Sequence, residues 1–346
     1  RRQRQMCIRD RPNYYPTIAY NLAMKSLEES VTLDAEKLWE RVGGLELDGE
    51  SGISKNEVRE KLSEHGFNIK KIRVGEPREF SMLACDASIL KRELLYNCLW
   101  TAHAVCVRAV FDGEKHPDVL SGRGGLPYRD LSYENAITLD SFKPYSALDE
   151  RLDSVRVALE CGMLAKSHTR QDLLLFDGSL KTSLEKVSKR RGYPEHEDAK
   201  TALANLLEKP VVAMVEDTHS SEVSKKVGFT TTDLLLFEIG LNEAEYVEYG
   251  EEVKVRYIKL PAKHVEHLGG GKSQPLTVRW EFNEKSEKHF QGLVNAWIME
   301  DDILHPQAYP LRAADFLTRK IRVSGILDEI VREKNLKQKR REERTA

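Results

Sequence analysis

The sequence of 346 residues lacks the features that mark several protein classes. It has only five cysteines and no Cys-x-x-Cys pair, which argues against a disulfide framework and against a cysteine zinc site. No run of 18 apolar residues occurs, so the sequence predicts no membrane-spanning helix. A formal net charge of −2 excludes a uniformly basic coat. Any nucleic-acid surface must therefore be a local patch.

A nucleotide-binding P-loop is also missing. The segment Gly271-Lys272-Ser273 resembles the end of one, but the glycine that should stand five residues before Gly271 is Glu266. Energy from ATP would therefore have to come from another protein. Four of the cysteines lie in apolar surroundings and are predicted to be reduced and buried, which is typical of the cytoplasm. They are Cys85, Cys98, Cys106 and Cys161.

The composition, 40% hydrophobic and 32% charged residues, predicts a globular protein of one elaborated domain or two. Residues 1–11 fit no periodic pattern and are predicted to be a non-native or disordered tail. Residues 12–75 predict an N-terminal helical arm, with a capping box from Ser54 to Glu57. The main domain is expected at residues 76–332, followed by a charged disordered tail at residues 333–346.

The order of the predicted elements indicates an α/β fold. Apolar runs predict strands at 80–85, 94–111 and 133–139, of which the first stops at Asp86 and the second ends at the Asp112-Gly113 turn. A helix at 149–166, a strand at 172–176, helices near 181–191 and 195–208 and a strand at 210–215 follow. Such an order predicts an antiparallel start and a parallel continuation of one mixed sheet. Two alternating strands, at 253–260 and 276–282, predict a further β extension before the C-terminal helix.

Three carboxylates occupy positions where ligands usually bind. Asp177 ends a buried strand and precedes Gly178, so it lies at the carboxyl edge of the sheet, where open α/β sheets bind ligands. Asp86 follows a second apolar run. Glu160 lies at the border of the apolar stripe of the predicted helix. The alternatives are a simple Asp-Gly turn at Asp177 and a surface ion pair between Glu160 and Arg156.

Oxygen-only ligands suit Mg²⁺ or Mn²⁺, because three converging carboxylates cannot neutralise one another. Two such ions would clamp the attacking and leaving oxygens of a phosphodiester. If Asp86, Glu160 and Asp177 converge, the sequence therefore predicts a two-metal site that holds Mn²⁺ or Mg²⁺. A glycoside hydrolase that uses two of these acids without metal is an alternative.

These residues resemble the NurA nucleases, DNA-end-processing enzymes of archaea and bacteria with an RNase H-like fold. The resemblance rests on the order of an Asp-ended strand, a helical Glu and a strand followed by Asp-Gly-Ser-Leu, with 177 − 160 = 17 residues between Glu160 and Asp177. The late tract Tyr309-Pro310-Leu311 with Asp315 also fits. It covers roughly residues 80–321.

The resemblance implies an RNase H-like mixed sheet flanked by helices, and a metal-dependent deoxyribonuclease. It implies 5′ to 3′ degradation of single- and double-stranded DNA, endonuclease activity on single strands, a homodimer, and coupling to the hexameric HerA ATPase in DNA-end resection. It also implies catalytic roles for Tyr309 and Asp315 beside the metal ligands. Two positions depart from the family pattern: Glu216 stands near an expected lysine, and Gln307 near an expected tyrosine. A catalytically silent scaffold that binds DNA or the ATPase is therefore a second hypothesis.

A cationic helix follows the Asp177 turn and is the predicted DNA-binding element. Its positive side chains could contact the phosphate backbone, although a solvated helix face is the alternative. They are Lys181, Lys186, Lys189, Arg190 and Arg191.

Overall fold

The computed structural model describes most of the chain from Ile53 onward. The residues described are 53–73, 78–94, 97–117, 125–142, 147–169, 172–216, 219–262, 275–300, 305–320 and 324–334. The predicted tail at residues 1–11 and most of the predicted arm at residues 12–75 lie outside them. Residues 335–346 of the predicted C-terminal tail lie outside them as well.

Nine strands form one mixed sheet in this part of the chain. In chain order they are β1 (Ile69–Lys71), β2 (Phe80–Glu93), β3 (Cys98–Pro117), β4 (Gly125–Phe142), β5 (Asp172–Asp177), β6 (Val211–Val215), β7 (Glu245–Tyr249), β8 (Val253–Leu260) and β9 (Leu276–Asn283). Their order across the sheet is β1-β7-β8-β9-β6-β5-β2-β3-β4. The predicted mixed α/β sheet is therefore confirmed.

The parallel part of the sheet is its centre. β5 pairs in parallel with β2 on one side and with β6 on the other, whereas the other paired strands are antiparallel. Strand β5 has the sequence Asp-Leu-Leu-Leu-Phe-Asp and is buried from Asp172 to Phe176. A continuous apolar run is what a central strand covered on both faces requires.

Helices cover both faces of the sheet. They are α1 (Lys55–Glu64), α2 (Leu148–Ser167), α3 (Leu180–Lys189), α4 (Pro194–Leu207), α5 (Glu222–Lys226), α6 (Asp233–Gly240), α7 (Phe290–Met299), α8 (Tyr309–Lys320) and α9 (Ser324–Glu333). A 3₁₀ helix, Glu284–His289, precedes α7. None of the described helices is long and apolar enough to cross a membrane.

Two hydrophobic cores show which helices cover which face. On one face, α2, α3 and α4 pack against side chains such as Cys85, Leu174 and Phe176. On the other face, α7 and α8 pack against side chains such as Ala84 and Leu175. Neighbouring residues of a strand thus belong to different cores, as the alternation of strand side chains demands.

The structure corrects the expected bounds of several elements. Strand β2 does not stop at Asp86 but continues to Glu93, because β3 still pairs with it after its partner β5 has ended. Strand β3 does not end at Asp112-Gly113 but reaches Pro117 through a register shift between Phe111 and His116. The predicted C-terminal helix corresponds to α8, which ends at Lys320, and α9, which begins at Ser324, and residues 321–323 lie outside the described residues.

Some expected features are found as predicted. Helix α1 begins at Lys55, directly after the capping-box serine. The four cysteines at 85, 98, 106 and 161 are buried and free. Strand β1 was not predicted from the sequence. Its residues belong to the predicted helical arm, but they pair with β7 at the edge of the sheet. Beside it, Arg59 of α1 forms an ion pair of 2.7 Å with Glu245 of β7.

Candidate active site

Asp86 and Asp177 are neighbours on two parallel strands. Cys85 pairs with Phe176 across β2 and β5, so the next residue on each strand is an aspartate. Parallel strands lie about 4.8 Å apart, which places the two carboxylates side by side on the α8 face of the sheet. Asp177 is the last residue of β5, and Gly178 turns the chain there with a φ of 87°. A left-handed conformation of this kind favours glycine.

Glu160 approaches this pair from helix α2, which packs on the opposite face. Its side chain is fully buried, and Arg156, one turn earlier, donates to Glu160 Oε2 over 3.1 Å. The other oxygen, Oε1, is buried and has no hydrogen-bond partner among the described residues. A buried carboxylate oxygen without a partner costs free energy, and it indicates that a further cation or donor belongs at this point.

Helix α8 and the segment before it complete the site from the α8 face. Gln307 is buried and its Nε2 donates to Asp177 Oδ1 over 2.7 Å. Thr318 donates from Oγ1 to the carbonyl oxygen of Asp86 over 3.3 Å. Asp315 lies on α8 and forms an ion pair of 2.7 Å with Arg319. The site is thus built from both helical layers at the end of β5.

Burial, together with the charges of neighbouring acids, raises the pKa values of the three carboxyl groups. Burial, followed by the charges of Asp86 and Glu216, raises the pKa of Asp177 to about 6, although Arg156 opposes the shift. Burial and the charge of Asp315 raise the pKa of Asp86. Burial, with smaller contributions from Asp177 and Asp86, raises the pKa of Glu160 well above its usual value, and Arg156 again opposes the rise.

These residues fit a divalent metal by their chemistry. The donors are carboxylate oxygens, which Mg²⁺ and Mn²⁺ prefer, and Glu160 Oε1 is a buried oxygen that lacks a partner within the described structure. Within that same part of the chain, no three acidic, histidine or cysteine side chains form a ready-made metal cage. The carboxylates are therefore close enough to shift one another's pKa values. Their oxygens do not converge on one point as the ligands of a bound metal would.

Tyr309, which was predicted to be catalytic, packs beside the site. Its ring stacks on Tyr128 at a centroid distance of 6.1 Å, and its backbone N–H donates to Glu300 Oε1 over 2.8 Å. Glu300 is buried, and it also accepts from the hydroxyl of Tyr128 and, over 2.6 Å, from Arg312. This network fixes the start of α8, and the side chain that touches Asp177 is Gln307.

The predicted DNA-binding helix is α3, and its cations differ in their surroundings. Arg190, just after the helix, is tied to Asp153 over 2.6 Å and to Ser154 over 2.8 Å. Arg191 donates to nearby carbonyl oxygens, and Lys181 forms an ion pair of 2.5 Å with Glu222. Lys186 and Lys189 are exposed. Of the five predicted cations, these two lysines are placed best for a solvent-side contact with phosphate.

A polar cleft borders the turn after Asp177. Its volume is about 480 Å³, and its lining includes Ser179, Lys181, His219, Ser220 and Arg279. Helix α3 begins at this cleft, and Ser179 caps it by accepting from the backbone N–H of Thr182 over 3.0 Å. The lining also contains Glu185 and Glu222, so the cleft carries charges of both signs.

Three residues of the site were not identified as such from the sequence. Arg156 was interpreted only as a surface partner of Glu160, Gln307 as a departure from a family pattern, and Glu216 as a replacement for a lysine. The signal for Arg156 was available, because its spacing from Glu160 puts both on one face of a helix. Gln307 and Asp177 lie 130 residues apart, and no local pattern joins them.

The fold and the acidic edge define an α/β protein with an RNase H-like mixed sheet. The family model of the NurA domain matches residues 80–291, which is more than half of the chain. The chain therefore belongs to the NurA family, and the predicted resemblance is confirmed. Comparison with curated protein sequences gives no match.

Solved structures agree on the fold. The crystal structure of the NurA nuclease from Sulfolobus solfataricus is 14% identical, has a TM-score of 0.52, and the match covers 86% of this chain and 97% of that one. A second NurA crystal structure is 10% identical with a TM-score of 0.51, covering 86% and 97%. A NurA structure with manganese is 11% identical with a TM-score of 0.49, covering 88% and 98%. At these identities the first two structures, with TM-scores above 0.5, show a shared fold.

Proposed function

We propose that this NurA-family nuclease is a metal-dependent deoxyribonuclease that hydrolyses phosphodiester bonds at DNA ends. The observation that carries the proposal is the buried Glu160 beside Asp86 and Asp177, where the unpartnered Oε1 and the mutual repulsion create a demand for positive charge. In a cell, Mg²⁺ or Mn²⁺ would meet that demand best, because the donors are oxygens.

Each residue has a distinct role in this proposal. Asp86, Glu160 and Asp177 would hold two metal ions in the sense of the two-metal mechanism, with Asp315 assisting from α8. When bound, the ions supply charge that stabilises the attacking and leaving oxygens of the phosphodiester. Gln307 holds one oxygen of Asp177 by its 2.7 Å hydrogen bond, which orients the carboxylate without adding charge.

The substrate proposed is DNA that approaches along the cleft at the start of α3. The exposed Lys186 and Lys189 would contact its phosphates. Family membership favours a 5′ to 3′ exonuclease that also cuts single strands internally, within DNA-end resection and recombinational repair. The four buried free thiols suit a reducing cytoplasm.

Cleavage assays test the proposal. Purified protein is incubated with 5′-labelled and 3′-labelled single- and double-stranded DNA, with and without Mn²⁺ or Mg²⁺. We expect metal-dependent cleavage that Asp86→Ala and Asp177→Ala abolish and that Glu160→Gln reduces less severely, since one oxygen ligand survives. Glu197→Ala, on the exposed face of α4, is the control that should retain activity.

The same assays decide between the enzyme and the silent scaffold. The departures at Glu216 and Gln307 are the reason for considering the scaffold, and DNA binding without cleavage at saturating Mn²⁺ would establish it. Near wild-type rates in Asp177→Ala would instead show that the catalytic site lies elsewhere. Label release from the 5′ end first, rather than the 3′ end, would support the proposed polarity.

We further propose a homodimer, which family membership favours. We propose that it works with a hexameric HerA-type ATPase, because the sequence contains no P-loop of its own. Light scattering tests the dimer. Co-elution of the full chain with the ATPase, compared with a variant lacking residues 1–52, tests whether the N-terminal arm is the docking element. Unchanged co-elution of a folded deletion variant would place the docking surface in the remaining chain.

A further inference from the structure

Arg156 lies among the acids of the candidate active site. Its guanidinium donates to Glu160 Oε2 over 3.1 Å and to Asp153 Oδ1 over 3.3 Å. The side chain of Arg156 is 34% exposed, whereas the side chain of Glu160 is completely buried. The guanidinium therefore joins a buried carboxylate to the solvent side of helix α2.

The charge of Arg156 acts on all three predicted metal ligands. It lowers the pKa of Glu160, Asp177 and Asp86 against the effect of burial. The charge of Asp86 in turn raises the pKa of Arg156. It is thus a counter-ion for the acidic group. A single guanidinium cannot satisfy that group, because it binds one oxygen of Glu160 and leaves the other without a partner among the described residues.

The second partner of Arg156 offers it an alternative position. Asp153 is held from the other side by Arg190, over 2.6 Å, and Ser154 fixes the same Arg190 over 2.8 Å. Asp153 is therefore anchored independently of Arg156. If Glu160 is taken by another cation, the guanidinium can stay on Asp153 and turn its other donors toward solvent.

We propose that Arg156 is an exchangeable counter-ion, which neutralises Glu160 until a divalent metal binds there and then donates to a phosphate group of the DNA. The proposal rests on the proposed function, since it needs a metal at Glu160. A metal at Glu160 Oε1 and the guanidinium at Oε2 would share one carboxylate. Because like charges repel, Arg156 opposes metal binding in the absence of DNA. The planar fork of a guanidinium matches a phosphate group in geometry and charge, so the same side chain favours binding of DNA afterwards.

The proposal predicts opposite effects of one substitution. Calorimetry without DNA should show that the full-length Arg156→Gln variant binds Mn²⁺ at least about tenfold more tightly than the wild type. The reason is that a nearby positive charge changes the pKa of a carboxylate by about one to three units. The same variant should show a raised KM for DNA. Arg156→Lys keeps the charge and should bind Mn²⁺ within about threefold of the wild type. A purely structural ion pair would lower thermal stability without tightening Mn²⁺ binding.

A measurement on the wild-type protein covers the case in which Arg156→Gln does not fold. The Nη1–H signal of Arg156, whose group donates to Glu160 Oε2, is assigned by its loss in Arg156→Lys and followed by NMR during a Mg²⁺ titration. We expect the signal to shift and to exchange faster with solvent as Mg²⁺ binds, and to regain protection when a non-cleavable DNA is added. A signal that Mg²⁺ leaves unchanged would overturn the proposal.

The outcomes separate this proposal from the proposed function. If the wild type binds Mn²⁺ and cleaves DNA but Arg156→Gln binds Mn²⁺ equally or more weakly, only the role of Arg156 is refuted. If the wild type binds no Mn²⁺, or if Asp177→Ala leaves Mn²⁺ binding intact, the metal site itself is refuted and the role of Arg156 with it. Tighter Mn²⁺ binding together with a raised KM supports the exchange.

Discussion

The burial of Asp177, together with repulsion by its acidic neighbours, should be measurable as a loss of stability that Asp177→Asn removes. Asn keeps the size of Asp and keeps the Oδ1 acceptor for Gln307, but it carries no charge. Because burial and neighbouring acids raise the pKa of Asp177 to about 6, the folded protein disfavours the charged form. Stability contributed by the protonated carboxyl is therefore complete below the unfolded pKa and is lost as the pH rises through 6.

The magnitude follows from the shift. The usual pKa of 3.8 rises to about 6, and each pKa unit corresponds to about 1.4 kcal/mol, so ionised Asp177 destabilises the metal-free protein by at most about 3 kcal/mol. For a domain of this size that is roughly 5 °C in Tm. Thermal unfolding is measured in EDTA from pH 4 to pH 8. The Tm of Asp177→Asn should equal that of the wild type at pH 4, exceed it increasingly as the pH rises through 6, and exceed it by a constant amount above pH 7.

Asp172 provides a matched control in the same strand. It sits at the other end of β5, where it forms an ion pair of 3.1 Å with Arg108 and accepts from the backbone N–H of Thr169 over 2.7 Å. Asp172→Asn should therefore destabilise the protein at pH 7, in the opposite direction. Added Mn²⁺ should raise the Tm of the wild type more than that of Asp177→Asn. Equal Tm values at pH 8 in EDTA would refute the proposed repulsion.

Three further perturbations test the surrounding framework. Glu300→Gln removes a buried charge that is paired and hydrogen-bonded, so chemical denaturation should show a loss of about 3 kcal/mol, and an effect below 1 kcal/mol would contradict a fixed start of α8. Replacing Lys186 and Lys189 together by Gln should reduce the slope of log K against log salt for duplex DNA by up to about 1.8, whereas an unchanged slope would place the DNA elsewhere. Against the effect of burial, partners such as Arg59 lower the pKa of Glu245 to about 2. Arg59→Leu should therefore lower the free energy of unfolding by about 2 kcal/mol at pH 7. Unfolding measured at decreasing pH should show this difference from the wild type shrinking as the pH falls from 4.5 toward 2.

The sequence predicts the central strand and its aspartate well, for a local reason. A run of four apolar residues that ends in Asp177 and Gly178 contains both the burial and the turn, and the structure has each of them. The alternative interpretation of Glu160, an ion pair with Arg156, is also realised, but the glutamate is buried and does not lie at the surface. Helical spacing could place the pair on one face but could not show what covers that face.

The parts that the sequence could not predict depend on long-range pairing. Strand β2 continues past Asp86 because β3 pairs with it as far as Glu93, and its second half is only partly buried, so no hydrophobic run marks it. Arg190 was predicted to face DNA, yet it is held by Asp153 of another helix. Composition shows that a helix is cationic, but only the packing shows which cations remain at the surface.

The arrangement of the site bears on whether it is active or silent. Asp86, Glu160 and Asp177 are kept close together although burial raises the pKa of all three, and a hydrogen bond from Gln307 orients one of them. Replacing such acids by neutral residues would relieve the repulsion, so a protein with only a scaffolding role would gain stability from losing them. Costly local electrostatics of this kind are characteristic of functional sites. Gln307 therefore represents a different way to orient Asp177, and its presence is compatible with an intact catalytic site.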